Sequence, residues 1–296
     1  MAAEYHSLRE LVKLAEAQEK SVWEIVQQSD MEESERTAGQ SFQKMYEMYL
    51  AMKQADQDYD GERRSASKRA GGDGEKLHQY NEAGKNICGP FIGKVMEKAI
   101  KMGESNACMR RIVAAPTAGS CGVLPAVLLS YEEEFQVKEE QVIHALYVAA
   151  GIGKVIAENA SLAGASGGCQ AEIGSASAMA AGALVSLQGG DAKTIMHGAA
   201  LALKNMLGLV CDPVAGLVEV PCIKRNSSGA VNAVTSAQLA LAGIRSAIDP
   251  DEVIDSMRRI GNQLPACLRE TSEGGLATTE SAINYLSRED SHFCKW

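Results

Sequence analysis

Apolar positions recur along this chain at helical intervals almost throughout, and the helices they predict are short. Leu8, Leu11, Val12 and Leu14 set the first. Ser21-Val22-Trp23-Glu24 has the form of a capping box, so a second helix starts there. Glu33 to Met52 carries Phe42, Met45, Tyr46, Met48, Tyr49 and Met52 at a period of about 3.6, a stripe expected to face a core. A polar stretch from Asp56 to Gly74, holding Gly61, Gly71, Gly72 and Gly74, interrupts the pattern. Helical spacing returns over Lys76 to Ile87 and Phe91 to Lys101, then over 139–150, 175–187, 191–207, 230–246 and 251–261. Ala, Gly and Ser dominate these later faces, which predicts helices packed backbone to backbone. Alternation of period two is scarce, and Leu217 to Val220 is the best strand candidate. The expected architecture is all-α: one compact multi-helix domain over 1–296, with a helical N-terminal segment at 1–60 and a compact centre at 76–280. No internal repeat is found.

Composition narrows the classes. Apolar residues make up 46% and aromatics 5%, so Ala, Leu, Val, Ile and Met must fill the core. A net charge of −9 argues against nucleic acid or an anionic membrane as partner, because both select basic faces. Met1-Ala2-Ala3-Glu4 opens no basic region followed by an apolar one, so no secretory signal is expected. The longest apolar run, Gly174 to Leu187, is rich in small residues and suits a buried helix better than a membrane span. Eight cysteines without an export signal predict reduced thiols in the cytoplasm.

Three of those cysteines sit between helix breakers: Gly167-Gly168-Cys169-Gln170, Val210-Cys211-Asp212-Pro213 and Val220-Pro221-Cys222-Ile223. Loop-borne thiols can converge on a metal and leave one coordination position for substrate, but spacing alone leaves three ordinary buried thiols equally open. No Cys-x-x-Cys pair occurs. Cys88, Cys108, Cys121 and Cys267 are flanked like core or loop residues. Ala115-Pro116-Thr117-Ala118-Gly119-Ser120-Cys121-Gly122 is a small-residue turn ahead of an apolar helix, Val123 to Ser130; its hydroxyls and amides suit a carboxylate, or serve as a simple helix cap. Lys224-Arg225-Asn226 adds two cations and an amide close to a thiol loop, fitting an anionic centre and an anionic substrate.

Other signals are weaker. Asp56-Gln57-Asp58-Tyr59-Asp60-Gly61 opens like a calcium loop, but its twelfth position is Ser67 where a bidentate glutamate is needed, so a polar linker is expected. Ser166-Gly167-Gly168 resembles a phosphate cradle, and pyridoxal phosphate would also need a lysine; Lys94 and Lys154 are the candidates in apolar surroundings. His6, His78, His144, His197 and His292 share no metal-ligand spacing.

Longer runs carry a resemblance. Pro116 to Ser120, Gly167 to Ala176 and above all Lys204 to Asn226 strongly resemble the α subunit of iron–sulfur-dependent L-serine dehydratase, with the likeness reaching Leu268-Arg269-Glu270-Thr271 and Gly274 to Ala277. The resemblance implies an all-α catalytic chain that deaminates L-serine to pyruvate and ammonia, with a [4Fe–4S] cluster on Cys169, Cys211 and Cys222. It implies a separate β subunit as partner, since one-chain relatives carry that piece themselves. Within this reading Thr117 and Ser120 are expected to meet the substrate carboxylate, and Lys224, Arg225 and Asn226 to supply charge and support. No side chain stands out as general base, which leaves the second subunit as its source. Cys294 is followed by Lys295 and Trp296, so the role of a C-terminal cysteine at the open iron is not carried over. A pyridoxal-dependent lyase and a cluster-bearing sensor are the competing classes.

Overall fold

The computed structural model of the chain describes residues 3–287, which leaves His292 and Cys294 outside them. Among these residues there are thirteen α-helices and no β-strand. The N-terminal third comprises α1 (Leu8–Ala17), α2 (Val22–Ser34), α3 (Ala38–Gln57), α4 (Asp73–Glu82) and α5 (Pro90–Ala107). The centre comprises α6 (Val123–Phe135), α7 (Glu139–Asn159), the single turn α8 (Gly164–Gly167), α9 (Ser175–Leu187) and α10 (Ala192–Asn205). The remainder comprises α11 (Cys222–Leu241), α12 (Pro250–Gln263) and α13 (Glu280–Ser287).

The apolar run at 174–187 becomes α9, buried at every residue from Ser175 to Val185 and packed on α6, α7, α10 and α11. Small residues make this possible. A β-carbon at Gly229 of α11 would stand 2.7 Å from Ile173 Cγ2 and 3.2 Å from Val123 Cγ2, so the neighbouring methyls fill the space a side chain would take. One hydrophobic core runs from Ala3 to Met257 and includes residues of α1, α2 and α3. No helix among the described residues is long and apolar enough to cross a membrane.

The capping box is present: Ser21 N donates to Glu24 Oε2 at 2.9 Å, and the Ser21 side chain caps the helix in return. The stripe at 33–52 is corrected. It is two helices, because Glu35 turns left-handed at φ 53° and Thr37 caps a new start. Tyr49 and Met52 are buried on α3, while Met48 faces solvent. The polar stretch is pinned rather than loose, for buried Glu104 accepts from Tyr59 Oη at 2.6 Å, Asp73 N at 2.8 Å and Gly74 N at 3.1 Å. Asp56 ends up on α3, paired with Lys98. Leu217–Val220 is not a strand. Ala215 and Gly216 turn left-handed at φ 62° and 68° just before it, and the chain folds back into α11.

Candidate functional site

Three loops are stitched together around the start of α11, and each brings one buried thiol. Gly168, at φ 78°, takes a conformation open to glycine and delivers Cys169 to the head of a π-helical turn, Gln170–Gly174. Fully buried Gln170 ties that turn to its neighbours: Nε2 donates to Gly167 O at 2.9 Å and Met257 O at 3.1 Å, and Oε1 accepts from Gly208 N at 2.9 Å. Cys211 follows the 206–210 loop. Its N–H donates to Leu268 O at 2.9 Å and its carbonyl accepts from Glu270 N at 2.8 Å, holding the 264–279 segment alongside. Cys222 is the first residue of α11, preceded by a cis Val220–Pro221 bond.

Two neighbours on α11 finish the stitching. Asn226, one helical turn after Cys222, donates from Nδ2 to Cys222 O at 3.0 Å and Gly119 O at 2.8 Å, and its Oδ1 accepts from Gly122 N at 2.8 Å. Arg225 donates to Val210 O at 2.8 Å and to Asp212 Oδ1 at 2.9 Å, and also reaches the Cys169 sulfur. Asp212 Oδ2 accepts from Leu276 N at 2.8 Å, so one buried acid joins α11 to the C-terminal segment. Lys224 is not brought to the thiols; it is exposed and paired with Asp73 Oδ2 at 2.5 Å.

The Thr117–Ser120 turn reaches the same place from the other side. Thr117 Oγ1 lies 3.0 Å from the fully buried Ser120 Oγ and donates to Glu172 Oε1 at 3.0 Å. Glu172, on the π turn, is a site residue that sequence reading passed over. Its signal was its place in the same short run as Cys169, three residues on. Burial pushes its carboxyl above the usual range, and the Glu270 charge adds to this against the Thr117 hydrogen bond.

Burial and charge both act on the three thiols. Burial pushes the Cys169 thiol up to about 11, with Arg225 pulling the other way. Burial, then repulsion from Cys169, pushes Cys222 up to about 12 and Cys211 higher still. Such thiols stay protonated unless a cation arrives, and metal binding would release those protons. Among the described residues no group of three or more His, Cys, Asp or Glu is set to hold a single metal ion. A four-iron cluster makes a different demand, for each cysteine binds its own iron at a separate corner. The donor set suits that demand: three buried sulfurs within electrostatic reach and a compensating guanidinium. Gly164 packs directly on this centre, since a β-carbon there would strike Glu172 Oε2 at 2.8 Å and Cys211 Sγ at 2.9 Å. Cys121 is buried apart from the trio, its thiol directed at Met102 O at 3.7 Å. Lys94 pairs with Glu134, and Lys154 with Glu33.

The chain is similar over most of its length to known proteins. Residues 17–277 match the family described as serine dehydratase alpha chain. The chain is 46% identical over 275 residues to the probable L-serine dehydratase, alpha chain, of Bacillus subtilis, covering 93% of this chain and 92% of that one. It is 48% identical over 207 residues to the L-serine dehydratase, alpha chain, of Peptoniphilus asaccharolyticus, covering 70% and 71%. With the L-serine dehydratase of Haemophilus influenzae it shares 42% identity over 184 residues, 60% of this chain and 40% of that protein. The chain belongs to the serine dehydratase alpha-chain family.

Proposed function

We propose that this chain is the α subunit of an L-serine dehydratase that converts L-serine to pyruvate and ammonia. Cys169, Cys211 and Cys222 hold its [4Fe–4S] cluster, and a separate β subunit completes the enzyme. The observation that carries the reading is the gathering of three buried thiols from three loops beside the Arg225 guanidinium. The names of the relatives support the reaction and, through the term alpha chain, the partner. The seven cysteines among the described residues are all free, as a reducing cytoplasm would keep them.

When bound, the cluster would supply a Lewis-acidic iron with one position not taken by cysteine. The chain's own residues do the rest. The Thr117–Ser120 turn presents its backbone amides to the substrate carboxylate, with the Thr117 hydroxyl on Glu172 and Ser120 bracing Thr117 from inside. Arg225 offsets the negative charge of the thiolates, and Asn226 keeps the turn against α11. Lys224 contributes surface charge. The ion pairs of Lys94 and Lys154 occupy the lysines a pyridoxal enzyme would use.

Anaerobic purification with the β subunit, followed by iron and sulfide counts and a pyruvate assay with L-serine, tests the reading. Cys169→Ala, Cys211→Ala and Cys222→Ala are each expected to lose the cluster and all activity above background. Full iron and sulfide in any one variant would remove that cysteine from the ligand set. A cluster with no pyruvate would favour the sensor class.

A further inference from the structure

An elimination reaction needs a base at the α-carbon, and three acids stand near the thiols. Asp212 is committed, with Oδ1 on Arg225 and Oδ2 on the Leu276 amide. Glu270 is exposed to solvent, and its backbone holds Cys211. Glu172 differs from both. Its carboxylate is mostly enclosed between the Thr117–Ser120 turn and α8; β-carbons at Gly119 and Gly164 would stand 3.2 Å from Oε1 and 2.8 Å from Oε2. Oε1 is fixed by the Thr117 hydroxyl, and among the described residues Oε2 has no hydrogen-bond partner.

We propose that Glu172 is the general base that takes the α-proton of serine, with Thr117 as its positioning residue. This rests on the serine dehydratase reading above. A substrate carboxylate held at the Thr117 turn has its α-carbon one bond away, which brings the Cα–H toward the carboxylate that Thr117 already touches. Glu172 Oε2 takes the proton, and the C–H electron pair becomes the second bond between Cα and Cβ. The Cβ–O pair leaves with the hydroxyl oxygen, which takes the proton back from Glu172 and departs as water. The aminoacrylate left behind rearranges to its imine, and water hydrolyses that to pyruvate and ammonia. No oxidant or reductant is required, and Glu172 ends as it began.

The test uses the holoenzyme with its β subunit, as wild type, E172Q and E172D. E172Q keeps an oxygen for Thr117 to donate to but cannot accept the proton. It is expected to retain iron and sulfide, to change KM little, and to lower kcat by about 10²–10⁴-fold. Its isotope effect with serine deuterated at the α-carbon is expected to exceed that of the wild type, because proton removal becomes the slow step. E172D should recover part of the rate. An E172Q enzyme turning over within about threefold of wild type, or showing an unchanged isotope effect, would overturn the assignment. So would loss of the cluster from both variants, which would place the side chain in assembly of the centre. A wild-type holoenzyme that makes no pyruvate would overturn the functional reading itself and the assignment with it.

Discussion

Asp212 carries more structural duty than any charge visible in the motif suggests. It is nearly inaccessible, and its two oxygens serve a buried guanidinium and a backbone amide from different segments. Removing it would strand Arg225 without its counter-charge. Asp212→Ala is therefore expected to cost about 3–5 kcal/mol in unfolding free energy, measured by urea denaturation, and Asp212→Asn less because one acceptor remains. At this scale much of the site was legible. Glycines and prolines marked the cysteine loops, and family resemblance singled out the trio. The roles of the α11 residues were less so, since adjacent positions on a helix diverge by about 100°. Arg225 and Asn226 face the loops, whereas Lys224 turns to Asp73. Glu172 was hidden because nothing in a lone acid tells whether water or protein surrounds it.

At the scale of elements, the fit of α11 depends on absent atoms. Gly229 abuts the γ-methyls of Ile173 and Val123, which are β-branched and stiff at χ1. Alanine is the better helix former by about 1 kcal/mol, so on propensity alone Gly229→Ala would stabilise. Overpacking should win: the variant is expected to lose about 1–3 kcal/mol net, read as a lower midpoint in thermal unfolding. This also explains where the helix pattern read true. The bounds 175–187 match α9, a helix buried all round whose apolar run is unbroken. The start of α11 was missed because its first turns, Lys224 to Ser228, are polar to suit a site and not a core. The end of α7 was missed because Gly151 and Gly153 look like breakers, although their task is close packing against Val26 and Met179.

Across the whole molecule, the N-terminal helices are fastened to the centre by contacts that respond to acidity. His144 on α7 stacks on Trp23 of α2, with ring centroids 3.7 Å apart and planes within 6°. Burial lowers the His144 pKa below its ordinary 6.5, while Glu140 on its own helix and Glu24 on α2 pull it back up. The folded state thus prefers the neutral ring. The stabilisation is complete above the unfolded value and is lost as pH falls from there through the lowered folded value. The thermal midpoint of the wild type should fall more between about pH 7 and about pH 5 than that of His144→Phe, which keeps a stacked ring without a proton to gain. An equal fall in both would show that His144 does not govern the response. The all-α plan was readable in advance because helical periodicity is a local property. The meeting of positions 169, 211 and 222 is not local, and it is set by Gln170, Arg225, Asn226 and Asp212 through bonds that involve main chain and side-chain oxygen far more than sulfur. The scaffold around these three positions is therefore tied together by protein groups alone. If the three thiols hold the proposed cluster, stripping its iron should leave these ties, and the helices they join, in place.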